Sequence, residues 1–188
     1  EIDLTSITVD GQQIQAEAAT APVIRGDSLY ALANGPSWTT ARSNAISYGG
    51  DLVTVNDALE NLFLTSAFGS VQSDGIWIGL TDLNIDGNWE WSDGSTSSYR
   101  NWHPGEPNGN NSTWYEVYTV LVSAWGGQWN DWRDAYPQPI QYGIAEIPLT
   151  LTTTLPTTIK EGAGEFTINI DLSAGTTSQK HSLVQGTR

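Results

Sequence analysis

The chain has 188 residues, 21 acidic against 7 basic side chains and a formal net charge of −14, a balance that repels nucleic acid and anionic membrane and leaves cations and neutral ligands as partners. Its length suits one well-buried domain with residues left over at both ends, and the absence of cysteine means that packing, helped by nine tryptophans and seven tyrosines, must do the work of crosslinks. No apolar run is long enough to span a bilayer, and the first residues are not a basic region followed by an apolar stretch, so the chain reads as soluble.

Ile2 and Leu4, then Ile7 and Val9, alternate with polar residues, and Asp10-Gly11 offers a hairpin turn before Gln12-Gln13-Ile14-Gln15. Residues 1–27 therefore read as an N-terminal β segment followed by a small-residue linker from Ala16 to Asp27. Ser28-Leu29-Tyr30-Ala31-Leu32 begins the main domain as a strand. Ser37 suits the N-cap of a helix through Tyr48, with Trp38, Ala41 and Ala45 on one face and Gly49-Gly50 ending it. Asn56 caps a second helix, on which Leu59, Leu62 and Phe63 form a stripe. Beyond Ile76 the pattern changes to short strands, long Gly-, Asn- and Pro-rich loops and tryptophans. After Pro148 comes a threonine-rich stretch from Leu149 to Thr158, and Phe166 to Leu172 alternates as a strand. One strand cannot bury its apolar face alone, so residues 149–188 are either a β-type extension that pairs with the N-terminal segment or part of a neighbouring module.

Glu106-Pro107-Asn108, then Glu116, then Asn130-Asp131 within Gln128-Trp129-Asn130-Asp131 supply carboxylate and amide oxygens, the ligands of a hard cation such as calcium. Calcium takes about six to eight oxygens, so these five side chains and the Asp131 carbonyl leave positions for a further ligand or water. Three carboxylates against one divalent ion leave a net negative site. A bound hydroxyl can then donate to a carboxylate while the Asn108 and Asn130 amides donate back. The plain alternative is that Glu106 and Glu116 are solvated loop carboxylates and Asn130-Asp131 is only a turn.

The spacing of these residues resembles the sugar-binding calcium site of C-type lectin-like domains. Trp77-Ile78-Gly79-Leu80 is similar to that family's WIGL strand, Gly87-Asn88-Trp89-Glu90-Trp91-Ser92-Asp93-Gly94 to its next turn and strand, and Tyr142-Gly143-Ile144-Ala145-Glu146 to its closing strand. Asn101-Trp102 leads into Pro104-Gly105-Glu106-Pro107-Asn108. The resemblance covers residues 28–148 and implies an α+β fold with two helices, short antiparallel sheets and long calcium-binding loops, with β-type segments on either side. It implies further that Ca²⁺ is held by Glu106, Asn108, Glu116, Asn130 and Asp131, that the same side chains bond the hydroxyls of a sugar, and that Pro107 is cis. The order Glu-Pro-Asn implies equatorial 3- and 4-hydroxyls, as in mannose, fucose, glucose or N-acetylglucosamine. Ala45 and Ala145 fall where the family's long disulfide would join the first helix to the last strand, and Tyr118 and a residue near Asp134 or Ala135 replace a further pair.

Trp114, Trp125 and Trp132 flank the site in sequence, and an indole can stack on a pyranose; Trp114 and Trp132 are the better candidates for a sugar contact. Trp77, Trp89, Trp91 and Trp102 match core positions. Asp82 and Asp86 match two ligands of an auxiliary calcium site, for which a polar turn is the alternative, and the helical flanks an EF-hand would need are missing. Arg25-Gly26-Asp27 is an integrin-type triplet in the linker and carries little weight. Asn110 and Asn111 open formal glycosylation acceptors, and neither His103 nor His181 has a second histidine placed for zinc or catalysis.

These features predict a calcium-dependent lectin module of a secreted or cell-surface bacterial adhesin, with glycans on a cell or matrix surface and neighbouring modules of a longer chain as partners, and neither nucleic acid nor membrane insertion. The alternative is a protein- or ice-binding adhesion module whose calcium only orders loops. An enzyme using Glu106 and Glu116 as acid and base is not expected, since both carboxylates are committed to metal.

Overall fold

A computed structural model describes residues 6–9, 12–15, 21–109, 115–134, 140–154 and 169–174. The N-terminal alternation forms an antiparallel pair, β1 (Ser6–Val9) with β2 (Gln12–Gln15), as its pattern predicts. Then come β3 (Val23–Arg25), β4 (Ser28–Asn34), α1 (Trp38–Ser47), β5 (Asp51–Leu52), α2 (Ala58–Phe68), β6 (Ile76–Thr81) and β7 (Glu90–Trp91). After the long loop stand β8 (Tyr118–Val122), β9 (Gln128–Trp132), β10 (Tyr142–Thr154) and β11 (Asn169–Ala174).

Apart from the β1–β2 pair, the strands make one mixed sheet, in the order β3-β4-β10-β6-β8-β9. β5 and β11 also pair with β10, and β7 with β6. The parallel contact is between β10 and β6, at Gly143 and Trp77. Successive side chains point to opposite faces of a strand. Ile76, Ile78 and Leu80 of β6 accordingly join one core cluster with Leu64 and Phe68 of α2, and Trp77 joins another with Trp38, Ala41 and Ala45 of α1. The two helices thus cover opposite faces of one sheet, the α+β arrangement that the sequence implies.

Helix α1 follows expectation. The Ser37 hydroxyl accepts from the Thr40 amide, and Trp38, Ala41 and Ala45 are its buried residues. Helix α2 departs from it twice. Its N-cap is Asp57, which accepts from the Glu60 amide at 2.8 Å, while the Glu60 carboxylate accepts from the Asn56 amide at 2.7 Å, a variant of the capping box. Of the expected stripe, Phe63 is half-buried against the core and Tyr30, but Leu59 and Leu62 face outward at 73% and 61% exposed, and Glu60, Asn61, Leu64 and Phe68 are the buried residues. Fixed partners select that face. Glu60 accepts from the Tyr30 hydroxyl at 2.7 Å, and Asn61 accepts from the Trp129 indole at 2.7 Å and donates to the Gly127 carbonyl at 3.0 Å.

The expected linker also contributes structure. Val23–Arg25 pairs with β4, and Gly26 at φ 64° turns the hairpin, a backbone that a two-residue turn demands. The Arg25 guanidinium lies 3.3 Å from the buried Glu60 carboxylate and 5.5 Å over the Phe63 ring, so the integrin-type triplet does not present a free arginine. Strand β10 runs on past residue 148 to pair with β11, from Leu149 opposite Ala174 to Thr154 opposite Asn169. The alternation at 166–172 is described only from Asn169.

A carboxylate and amide site on the cis-proline loop

Trp129 is the anchor of the site. It is fully buried in β9, its indole N–H bonds Asn61, and the rings of Trp91, Tyr99 and Trp102 meet it edge-on at 5.9, 5.6 and 5.9 Å. The long loop is zipped along the backbone of the same residue. The Trp129 amide donates to the Asn101 carbonyl at 2.8 Å, and the His103 amide donates to the Trp129 carbonyl at 2.9 Å. Trp89 and Trp102 pack against each other at 4.7 Å, half-buried, whereas Trp77 and Trp91 are buried, so all four are structural as their sequence positions imply.

From His103 a turn closed by the Glu106 amide leads to the Glu106–Pro107 peptide bond, which is cis as the resemblance implies. Asp131 lies two residues beyond Trp129, on the same side of the strand. Its buried carboxylate accepts from the Asn108 amide at 3.1 Å and from the Gly109 amide at 2.6 Å. The Asn108 side-chain amide donates to Glu106. A methyl group on Gly109 would stand 2.6 Å from the Glu116 Cβ and 2.8 Å from the Asp131 Oδ2, so only a glycine lets the loop close between them.

Glu106, Asn108, Glu116 and Asp131 are therefore neighbours. Burial pushes Glu106 up to about 7, helped by its hydrogen bond with Asp131 and by the charges of Asp131 and Glu116. Glu116 is raised too, mainly by burial and then by Asp131, with Arg133 opposing from 3.9 Å. Among the described residues, no group of three or more His, Cys, Asp or Glu converges at metal-holding spacing. Asp131 is engaged by loop amides, Glu106 by Asn108, and Glu116 lies toward Arg133. Asn130 sits in the β8–β9 ladder opposite Val120 and is largely buried.

Asp82 adjoins this group. Its Oδ2 accepts from the Gly87 amide at 2.8 Å, its buried Oδ1 has no hydrogen-bond partner, and burial chiefly raises its pKa, with Asp86 and Asp131 adding to the effect. Asp86 is exposed on the same loop. Trp132 is half-buried at the edge of the cluster that contains Trp38 and Tyr118. Trp114 and the acceptors Asn110 and Asn111 lie outside the described residues. Trp125, ranked behind Trp114 and Trp132 as a sugar contact, and His103 pack on each other with ring centroids 4.3 Å apart and a tilt of 36°.

The lectin C-type domain family profile matches residues 34–140, and the chain belongs to the C-type lectin family, whose domain is a non-enzymatic carbohydrate-recognition module. The chain is 38% identical over 97 residues to the human C-type mannose receptor 2, a match spanning 50% of this chain and 6% of that protein. It is 35% identical over 125 residues to the mouse low affinity immunoglobulin epsilon Fc receptor, spanning 64% and 35%. Among solved structures, the cow CD23 carbohydrate-recognition domain crystallised in the presence of GlcNAc2Man3 oligosaccharide superposes with a TM-score of 0.57 at 28% identity, covering 71% of this chain and 97% of that one. The EPNH mutant of CEL-I gives a TM-score of 0.60 at 29% identity, with 69% and 96% covered. A calcium-independent type II antifreeze protein shares the fold at 21% identity and a TM-score of 0.55. No helix among the described residues is long and apolar enough to cross a membrane.

Proposed function

We propose that this module binds carbohydrate through calcium held by Glu106, Asn108, Glu116, Asn130 and Asp131, and that it takes sugars with adjacent equatorial hydroxyls of the mannose, fucose, glucose or N-acetylglucosamine type. The observation that supports the reading is the pinning of the Glu106–Gly109 loop by its own amides onto Asp131, which brings Glu106 and Asn108 to Asp131, close enough to Glu116 for its charge to act on Glu106. The donor set fits the ion. All its ligands are hard oxygens, a cation would offset the burial that chiefly raises Glu106 and the smaller repulsion from Asp131 and Glu116, and Asp82 has a buried oxygen without a hydrogen-bond partner. A bound calcium supplies a centre on which two neighbouring hydroxyls can rest. Glu106 and Glu116 accept the hydroxyl protons, and the amides of Asn108 and Asn130 donate to the hydroxyl oxygens. Trp114 and Trp132 are the indoles proposed to border the sugar. Asp82 and Asp86 are proposed for an auxiliary ion.

The low-lysine, acid-rich composition together with the calcium-type ligands supports a place on a secreted or cell-surface bacterial adhesin, where calcium reaches the roughly 10⁻⁴–10⁻³ M that such modules require. One module of this kind binds weakly, and repeated display raises avidity. The test is binding to immobilised glycans with calcium and again with a chelator. Chelator-sensitive binding of mannose- or fucose-type sugars is expected. Glu106→Gln with Asn108→Asp is expected to move preference toward galactose; unchanged monosaccharide competition would refute the assignment of those two residues. Silence across the panel while calcium still raises the melting temperature would favour a protein- or ice-binding surface.

A further inference from the structure

We propose that His103 and Trp125 form a second subsite, which stacks on the apolar face of the next residue of an oligosaccharide whose terminal residue lies at Glu106 and Asn108. The proposal rests on the carbohydrate reading above and extends it. Trp125 stands on the turn between β8 and β9 and is 38% exposed, with the His103 ring packed on it at 4.3 Å and a tilt of 36°. None of the core clusters includes either ring.

The platform is held from beneath. Gly126 and Gly127 have φ of 68° and 84°, and the Gly127 carbonyl accepts from Asn61 at 3.0 Å and from Asn101 at 2.9 Å. A side chain on Gly127 would meet the Thr65 hydroxyl at 2.1 Å, so the turn is seated directly on α2. The Ser123 hydroxyl donates to the Gly69 carbonyl at 2.7 Å and fixes its other end. A rigid indole loses little freedom when a ligand stacks on it.

The position relates the pair to the first site. The His103 carbonyl accepts from the Glu106 amide at 2.9 Å, which closes a four-residue turn and puts the two Cα atoms within about 7 Å. That is the reach of an adjoining sugar residue, not of a separate ligand. The chemistry suits one as well. The net charge of −14 disfavours an anion, and one indole with one imidazole is far below the roughly 1,200 Å² that a stable protein interface buries. A neutral pyranose presents C–H groups that can stack on an indole.

The test compares mannose with an α-linked mannose trisaccharide in calcium, by titration calorimetry on the native chain and on His103→Ala and Trp125→Ala. The native chain is expected to bind the trisaccharide more tightly, and each variant to lose about three- to tenfold of that affinity while binding mannose unchanged. A second readout needs no variant that must fold. His103 is one of two histidines, so its imidazole C–H signals are easily assigned, and they should shift with the trisaccharide and not with mannose. Equal losses for both sugars, full retention of the trisaccharide gain, or a silent His103 would overturn the subsite and leave the first site standing. A chain that binds neither sugar would overturn the carbohydrate reading, and the subsite with it.

Discussion

Asn61→Leu removes the polar joint between α2 and the site-bearing hairpin while keeping the branching and heavy-atom count of the side chain. Asn61 is buried, accepts from the Trp129 indole at 2.7 Å and donates to the Gly127 carbonyl at 3.0 Å. The carbonyl keeps its bond from Asn101, so its loss is about 0.5–1 kcal/mol. The indole N–H of fully buried Trp129 is left without an acceptor, which costs about 1–3 kcal/mol. The sum, about 1.5–4 kcal/mol, lowers the melting temperature by roughly 3–16 °C for a domain of this length. Equilibrium urea unfolding reads it as a lower midpoint at unchanged slope. Trp129→Phe strands the other partner, so the double variant should cost at least about 1 kcal/mol less than the two single changes added together. A loss under about 0.5 kcal/mol for Asn61→Leu, or strict additivity in the double variant, would refute the joint.

Gly109→Ala drives a methyl group between Glu116 and Asp131 and pulls the 2.6 Å amide bond off Asp131, so calcium affinity should fall at least about tenfold by calorimetry, one charge-assisted hydrogen bond being worth about 1.5–3 kcal/mol. The raised Glu106 fixes the sign of a pH effect: a carboxyl whose folded pKa of about 7 exceeds its ordinary 4.5 holds its proton more tightly when folded, so its contribution is fully present at low pH and is lost as pH rises through that window. The calcium-free melting temperature should therefore fall across it and the shift produced by calcium should grow; a calcium-free temperature that rises instead would contradict the crowding of the site. Glu146 lies 3.1 Å from the Tyr30 hydroxyl, which also bonds Glu60, and burial followed by the charge of Glu60 raises it; Glu146→Gln should thus become progressively less costly to stability as pH rises, read by urea midpoints at pH 5 and 8.

Much of the fold is legible because its signals are local. Ser37 and the spacing of Trp38, Ala41 and Ala45 define α1, and Trp77-Ile78-Gly79-Leu80 marks the central strand by its resemblance to the family's WIGL strand. The inward face of α2 is not legible, because Glu60 and Asn61 are selected by hydroxyl and indole partners 30 and 68 residues away. A periodicity rule ranks Leu59 and Leu62 above them. Strand β3 is concealed by its brevity among small residues, and only its pairing with β4 makes it visible. At the site, residue types alone group Glu106, Asn108, Glu116 and Asp131. The closing of the loop onto Asp131 is done by backbone amides and by the room at Gly109, and a side-chain pattern carries neither.

The positions where the family resemblance places crosslinks show how the fold does without them. Ala45 and Ala145 are both fully buried in one cluster with Trp38 and Trp77, so close packing joins α1 to β10 where a disulfide would close a loop of about 100 residues. Tyr118 stacks on Trp38 at 4.5 Å, and Asp134 accepts from the Thr39 amide at 2.9 Å and its hydroxyl at 2.8 Å. Both ends of the β8–β9 hairpin, which the second crosslink would join to each other, are instead tethered separately to the first turn of α1. Arg42 adds a bidentate bond to Asp51 and a bond to the Ser92 carbonyl. All of these act in the folded state alone, whereas a disulfide acts largely by restricting the unfolded chain, at about 3 kcal/mol for a loop of some 15 residues. The substitution moves the source of stability from the denatured ensemble to the packing around α1. That helix is therefore where truncation of a large side chain, Trp38 above all, should unfold the domain most readily, and its stability is independent of the redox state of its surroundings.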